Sequence, residues 1–399
     1  MKNLITYFHL NQLGILELML AFFPIVSGYS YSSFPMGMLW LLLMDIIAIL
    51  KKRHPISMYL LYVVFGFVLF HELVVLLIND ANQTHINSII SSFLLLSSII
   101  IIAPTLTYQK LVGSLYLVGL ISAGGIIYHT FLMMYGRMMT PIPLPFLPTP
   151  DVSSRLFEEL MRPSSFYWEP ASYVTFMLVP LFLSIHEKKN IMIGFWLICI
   201  LLSSSTNGIV LAPAMVAISV LSSRKKNFSQ FLSLVVLIIV GFVFFNSNVF
   251  EIGIDKAENT EMASDARLSN GPWLVSNMPP EDLFWGIPVH GVKEYISLNN
   301  NIASTRIVRN NDFYMSDFWY VLVVYGVIGL ILHLAVYFKF LTKNRQLLPY
   351  ILILLIAQFS QSLSFRSMYF FQLCCLLCFV HSLKNTDEKN ITKLSPHSM

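Results

Sequence analysis

Residues 111–135 read LVGSLYLVGLISAGGIIYHTFLMMY and contain no Asp, Glu, Lys or Arg. About 20 apolar residues in a helix, rising ~1.5 Å each, cross the hydrocarbon core of a bilayer. The backbone of a chain in lipid must satisfy its own polar groups, and this run lacks the alternation of a barrel strand. The stretch therefore predicts a membrane-spanning α-helix.

Similar apolar runs recur along the whole chain. Of its 399 residues, 56% are hydrophobic and 12% are charged, which leaves too little polar surface to cover a soluble globule. We expect an all-α fold, a polytopic integral membrane helix bundle of about 12 transmembrane helices forming one membrane domain over residues 1–399. The expected spans lie near residues 12–30, 34–50, 56–78, 88–106, 111–135, 168–185, 191–205, 206–222, 230–247, 317–338, 347–364 and 367–383.

The distribution of basic residues predicts the orientation of this bundle. Cytoplasmic loops carry an excess of Lys and Arg. If the N-terminus is cytoplasmic, the basic clusters at 51–53, 188–189 and 224–226 all fall on the cytoplasmic side, and so does the C-terminus. Two long loops, at 136–167 and 248–316, then lie outside the membrane on the opposite face.

Arginine and lysine separate between the two faces. Seven of the ten arginines fall on the outer side, whereas thirteen of the fifteen lysines fall inside. The planar arginine fork binds phosphate or carboxylate through paired hydrogen bonds, while lysine is a hydrated point charge. This asymmetry favours an anionic ligand on the outer face. The alternative is that these arginines pair with nearby acids such as Glu158 and Asp312.

The end of the first outer loop, residues 162–172 (RPSSFYWEPAS), holds two candidate site residues. Arg162 is a candidate anion binder. Glu169 precedes a proline at a predicted helix start, where a carboxylate caps free amides and meets the positive end of the helix dipole. The alternative is that Glu169 contacts a sugar or a catalytic partner close to Arg162.

The second outer loop gathers arginine, tryptophan and histidine in residues 265–268 (DARL) and 283–291 (LFWGIPVHG). Arg267 is a candidate anion binder, Trp285 offers a stacking face for a sugar, and His290 can accept a proton near neutral pH. The alternatives are an incidental loop histidine and a tryptophan that anchors the chain at the membrane surface.

Further along, Arg306 and Arg309 would share one face of a helix if this stretch is helical. In the following span, Gly326 and Gly329 are three residues apart, a spacing that lets another helix pack closely.

Polar residues inside the predicted spans are costly in lipid. The pair His71 and Glu72 lies toward the outer half of its span and is placed to line the same cavity as the outer loops. Glu17 and Asp45 lie nearer the cytoplasmic ends, where we expect their side chains to snorkel toward water.

Several function classes lack the residues they need. The sequence has no glycine-rich phosphate loop with lysine, no H-E-x-x-H and no D-x-D on the outer side, so nucleotide hydrolysis and metal-dependent chemistry are poorly supported. We predict no metal site and no cofactor. The four cysteines lie inside apolar runs, which favours packing over a disulfide framework.

Four short segments carry a resemblance to a known family. They are Arg162 with residues 168–171 (WEPA), residues 204–208 (SSTNG), Arg267 with residues 283–286 (LFWG), and residues 312–314 (DFY) through 326–329 (GVIG). In these segments and in its overall plan, the chain resembles the bacterial O-antigen polymerase (Wzy-type) family, within the group that also includes O-antigen ligases.

The resemblance implies a metal-independent glycosyltransferase in the bacterial cytoplasmic (inner) membrane, with both termini cytoplasmic. Its donor would be an oligosaccharide repeat unit on undecaprenyl pyrophosphate, and its acceptor a hydroxyl on a second lipid-linked unit. The product would be O-antigen, capsule or a related polysaccharide. A chain-length regulator protein is an expected partner, and nucleic acid is not.

On this resemblance we assign the site residues. The pyrophosphate and sugar would be bound by Arg162, Arg267, Arg306, Arg309 and Trp285. The catalytic base would be His290 or Glu169. Related ligases keep a histidine beside the following span, where this chain has residues 310–312 (NND), and this difference favours polymerase over ligase. A ligase, a flippase or other transporter, and a purely structural membrane protein stay open as alternatives.

Overall fold

The computed structural model describes residues 6–31, 34–54, 58–78, 83–145, 147, 160–222, 235, 238–239, 263–288, 291–298, 315–343, 345–361 and 366–393. Within these ranges the regular secondary structure is helical, apart from a two-residue strand β1 (Ser30–Tyr31) that pairs antiparallel with a two-residue strand β2 (Phe34–Pro35). The predicted span 230–247 lies almost entirely outside the described residues.

Fourteen α-helices lie in the described part of the chain. They are α1 (Ile15–Val26), α2 (Met36–Ile49), α3 (Tyr59–Ile78), α4 (Gln83–Ile102), α5 (Tyr108–Met134), α6 (Pro170–His186), α7 (Asn190–Leu201), α8 (Thr206–Ser222), α9 (Ala263–Asn277), α10 (Pro280–Trp285), α11 (Val292–Leu298), α12 (Asp317–Lys343), α13 (Leu348–Ala357) and α14 (Ser367–Lys393).

The all-helical fold class is confirmed for the described residues. Two of the helices, α5 and the part of α12 that covers Asp317–Leu341, are long and apolar enough to cross a membrane. Nine further apolar helices or helical segments contain 10–17 residues each. The two long helices favour a membrane protein, while the number of spans and their orientation stay predictions.

The helices pack as a bundle in which α5 contacts α1 and α6, and α8 contacts α6 and α13. Close packing around α5 depends on Gly119. A Cβ added there would lie 3.2 Å from Pro180 Cγ and 3.3 Å from the Trp196 ring. The Trp196 indole is fully buried and donates to Ser184 Oγ at 2.9 Å, so its polar edge is satisfied inside the bundle.

The predicted second outer loop contains three short helices. Both α9 and α10 pack on α12. The next helix, α11, is tied to α10 because the Tyr295 hydroxyl donates to Asp282 Oδ2 at 2.6 Å. Burial and the Asp282 carboxylate raise the pKa of Tyr295, so the phenol stays protonated and keeps this donor. We call residues 263–298, within the described ranges, the second outer region.

The expectation that Glu17 and Asp45 snorkel to water is wrong. Glu17 is 0% exposed, its Oε2 lies 3.2 Å from Lys51 Nζ, and its Oε1 accepts the Thr107 amide at 3.0 Å. Asp45 is also buried and accepts from Ser98 Oγ at 2.6 Å. Partners distant in sequence hold both carboxylates inside the bundle, so neither side chain needs to reach solvent.

Replacing Glu17 with Ala is expected to destabilise the protein by about 2–3 kcal/mol, because the Thr107 amide and Lys51 lose their shared partner. Lys51 is 31% exposed and regains water, which keeps the cost below that of a fully buried pair. Thermal unfolding of the detergent-solubilised protein measures the effect. A Glu17→Ala, Lys51→Ala double variant should lose less than the sum of the single variants, and strict additivity would contradict the coupling.

Candidate functional site

Arg162 and the polar hinge at residues 203–205 meet in the fold. Arg162 is 5% exposed, and its guanidinium NH1 donates to the Ser204 carbonyl at 3.4 Å. Ser204 has a φ of 51°, and the turn around it is closed by a hydrogen bond from Ser203 Oγ to Ile200 O at 2.6 Å. Two motifs 42 residues apart are therefore in direct contact. The proposed anion-binding role of Arg162 stays a prediction.

The residues after Arg162 are clamped onto α5. The Ser164 and Ser165 amides both donate to His129 Nδ1, at 3.3 and 3.2 Å. Since this nitrogen accepts, the ring hydrogen is on Nε2. Ser165 has a φ of 57° and donates from its hydroxyl to the Ser122 carbonyl at 2.9 Å. A Cβ at Gly125 would lie 2.2 Å from Ser165 Oγ, so glycine is required there for this approach.

Glu169 is the N-cap residue of α6, with extended backbone and Pro170 at the first turn, as the sequence predicts. Its carboxylate makes no capping hydrogen bond to the helix amides, and the side chain is partly exposed. Glu169 therefore occupies the predicted N-cap position, but its side chain does not cap the helix. Its role as a catalytic base stays a prediction.

Helix α12 is broken beside the second outer region at Gly326, where φ is 66° and ψ is −172°. Residues 284–287 lie directly against this break. A Cβ at Gly326 would lie 2.1 Å from the Phe284 carbonyl oxygen, and a Cβ at Gly286 would lie 2.1 Å from the Val324 carbonyl oxygen. The Ile287 amide donates to Val323 O at 3.0 Å.

Gly326 and Gly329, which the sequence predicts to allow close helix packing, are approached by two different helices. Gly329 does face a helix, since a Cβ there would lie 3.1 Å from Phe67 of α3. Gly326 adopts a left-handed φ, which breaks α12, and is approached by the Phe284 carbonyl at the C-terminal end of the short helix α10. Gly326 therefore breaks α12 where α10 approaches it, whereas Gly329 makes room for the side chain of Phe67 on α3.

His71 and Glu72 of α3 lie beside this break. His71 Nε2 is 3.0 Å from the Trp285 carbonyl oxygen, and its ring centroid is 5.2 Å from that of Tyr325. The Glu72 carboxyl hydrogen-bonds with Tyr325, which also hydrogen-bonds with Ser92 of α4. The structure thus brings the His71–Glu72 pair into contact with the second outer region.

Trp285, which the sequence predicts to stack on a sugar, has an accessible ring. Its side chain is 58% exposed, and the neighbouring Phe284 ring lies perpendicular to it with centroids 5.3 Å apart. His71 and Gly326 fix the backbone of this aromatic pair, while the rings themselves stay accessible. An exposed Trp is also the expected membrane anchor, so the geometry alone favours neither role.

The remaining predicted residues are only partly covered by the structure. Arg267 belongs to α9, which approaches α12 closely because a Cβ at Gly271 would lie 2.3 Å from Trp319. The side chain of Arg267 lies outside the described residues. His290, Arg306 and Arg309 also lie outside them. Their proposed roles stay predictions.

Sequence reasoning did not single out Arg366 or Tyr320 as site residues. Arg366 is exposed just before α14 and interacts electrostatically with Tyr320 of α12, as do Glu72 and Asp317. The signal was present in part, because Arg366 is one of the seven predicted outer arginines. Among the described residues, no three His, Cys, Asp or Glu side chains form a group suited to a metal ion.

Compared with protein-family models and with curated proteins, the chain matches none. The support for a function therefore comes from the residues of this chain, their contacts and the resemblance carried by the four segments.

Proposed function

We propose that this chain is a polysaccharide polymerase that joins oligosaccharide repeat units carried on undecaprenyl pyrophosphate. The observation that carries the proposal is the pairing of the resembling segments. Arg162 contacts the hinge through Ser204, and residues 284–286 contact the break at Gly326. The four resembling segments are therefore in contact in two pairs, although packing a helix bundle does not by itself require these contacts.

A second support is the way both predicted outer loops fold back onto helices. The first loop ends on α5 through His129 and Ser122. The second outer region packs on α12 through α9 and α10. Side chains on such anchored segments are held by rigid elements, which a site needs in order to orient two large substrates for reaction.

The proposed reaction needs no sugar nucleotide. The acceptor hydroxyl oxygen attacks the anomeric carbon of the donor, the bond from that carbon to the pyrophosphate oxygen breaks, and undecaprenyl pyrophosphate leaves. The hydroxyl proton passes to a base, for which His290 and Glu169 are the candidates. Negative charge grows on the leaving group, and Arg162, Arg267, Arg306 and Arg309 are the candidates that stabilise it.

The proposal includes the membrane setting. About 12 spans, with both termini cytoplasmic, would place the two outer regions at the outer face of a bacterial inner membrane. The apolar helices α5 and α12 support a membrane location. A chain-length regulator is a proposed partner.

One observation favours a second candidate, a transporter. Discontinuous helices beside buried ionisable groups are common at transporter binding sites, and α12 is broken at Gly326 next to the buried Glu72. A transporter would move lipid-linked glycan without changing its covalent structure, so the chemistry of the product separates the two candidates.

The test is a reconstituted assay. Purified protein in liposomes receives lipid-linked repeat units isolated from producing cells that lack this chain, without nucleotide, and the products are separated on a gel. The proposal expects a ladder of glycans that increase by one repeat unit. Units that stay monomeric, in a preparation whose protein is folded, would contradict the polymerase. A single product formed only after a different acceptor is added would indicate a ligase.

A further inference from the structure

The region between α3 and the α12 break contains two buried hydrogen-bond acceptors that lack donors within the described part of the chain. His71 is 7% exposed and Glu72 is 2% exposed. Among the described residues, His71 Nδ1 and Glu72 Oε1 have no hydrogen-bond partner. Buried polar atoms in folded proteins are nearly always satisfied, so two adjacent exceptions need a physical explanation.

The hydrogen-bond pattern fixes what these atoms can do. A carbonyl oxygen only accepts, so His71 Nε2 carries the ring hydrogen that it donates to Trp285 O. His71 Nδ1 is then a lone-pair acceptor. The Glu72 carboxyl makes a hydrogen bond with Tyr325, and its Oε1 has no partner among the described residues. Glu72 Oε1 is therefore the second acceptor, beside His71 Nδ1. Because both side chains contact Tyr325, the two acceptors belong to one place in the fold.

Two acceptors without donors call for a ligand that supplies hydrogen-bond donors. Sugar hydroxyls are such donors, and an exposed aromatic ring beside them supplies a stacking face. Trp285 has this ring, and its carbonyl is the group that His71 holds. The hydrogen bond from His71 to the Trp285 carbonyl therefore holds the aromatic residue next to the two acceptors.

We propose that His71 Nδ1 and Glu72 Oε1 form a glycan subsite that accepts hydrogen bonds from sugar hydroxyls of the lipid-linked repeat unit, next to the Trp285 ring. The inference rests on the proposed function and names the part of the substrate recognised here. Both acceptors are nearly inaccessible in this structure, so residues 284–287 must open transiently to admit the sugar and then return to Gly326, where His71 again holds the Trp285 carbonyl.

The test compares binding of two lipids by the purified protein. One is the lipid-linked repeat unit, and the other is undecaprenyl pyrophosphate without glycan. Glu72→Met removes the acceptor and is expected to weaken binding of the glycan-bearing lipid by roughly tenfold, the value of one lost hydrogen bond. Binding of undecaprenyl pyrophosphate should not change. His71→Ala removes the other acceptor and provides the same comparison if Glu72→Met does not fold.

Two matched variants separate recognition from a structural role. Tyr325→Phe removes the hydrogen bond to Glu72 but keeps both free acceptors, and its affinity for the glycan-bearing lipid should stay within about threefold of wild type. Phe70→Ala changes the exposed neighbour on α3 and should leave both affinities unchanged. Equal weakening in Tyr325→Phe and Glu72→Met would overturn the subsite, because Glu72 would then act by holding Tyr325.

The outcomes also separate this inference from the proposed function. If the wild type makes polymer while Glu72→Met keeps full preference for the glycan-bearing lipid, only the subsite is wrong. If the wild type neither binds the repeat unit nor makes polymer, the proposed function fails. If sodium alone raises the melting temperature of the wild type but not of Glu72→Gln, the acceptors hold a cation, and the glycan subsite is overturned.

Discussion

Replacement of Arg267 by Ala is expected to lower the initial rate of polymer formation by roughly 10²–10³-fold, comparable to the loss of one donor from a site that stabilises developing negative charge. The departing pyrophosphate gains charge in the transition state, and a guanidinium stabilises it through paired hydrogen bonds. Arg267→Lys keeps the charge but loses the fork, so its rate should be intermediate. Initial rates from the ladder assay measure both variants.

The control for Arg267 is Lys256→Ala, which removes one positive charge from the same predicted outer loop. Its rate should stay near wild type, because lysines are not assigned to the site. Both variants must elute as folded protein and unfold at wild-type temperature. Full activity in folded Arg267→Ala would remove this residue from the proposed site, and equal losses in both variants would indicate a general effect of charge.

Replacement of Gly326 by Ala is expected to destabilise the protein by roughly 2–4 kcal/mol and to abolish polymer formation. Its φ of 66° is unfavourable for alanine, and the new Cβ would lie 2.1 Å from the Phe284 carbonyl oxygen. Residues 284–287 would have to leave the break, which would displace Trp285. Thermal unfolding and the ladder assay measure the two effects.

Gly124 provides a matched control for this substitution. It lies in α5, and a Cβ added there meets no other atom within 4 Å. Gly124→Ala should be neutral or slightly stabilising, since alanine favours the helix. Gly286→Ala, with a φ of 88° and the same backbone approach from the other side, should reproduce the loss seen at Gly326. A fully stable Gly326→Ala protein would contradict the described contact between α10 and α12.

The helical segments could be predicted from the sequence because hydropathy depends on local composition. The predicted span 111–135 corresponds to α5 at Tyr108–Met134, and the span 34–50 corresponds to α2 at Met36–Ile49. The short helix α10 was not predicted, since six residues carry no apolar period. Its signals were Pro280 at the first turn and two acidic residues after it.

The contacts of the site could be predicted only in part. His71 and Glu72 were placed near the outer loops from their depth in a span, and the structure puts His71 against Trp285. The break at Gly326 could not be recognised, because the same glycine spacing serves helix packing. What distinguishes the two is the carbonyl of Phe284, a residue distant in sequence. The pairing of Glu17 with Lys51 is non-local for the same reason.

The most direct test of the central claim is the release of undecaprenyl pyrophosphate by the purified protein, counted by mass spectrometry against the glycosidic bonds formed. A polymerase releases one undecaprenyl pyrophosphate for each bond between repeat units, with no other acceptor present. A ratio of one to one is expected for the wild type. Repeat units that cross the liposome membrane with no undecaprenyl pyrophosphate released would contradict the polymerase and establish a transporter.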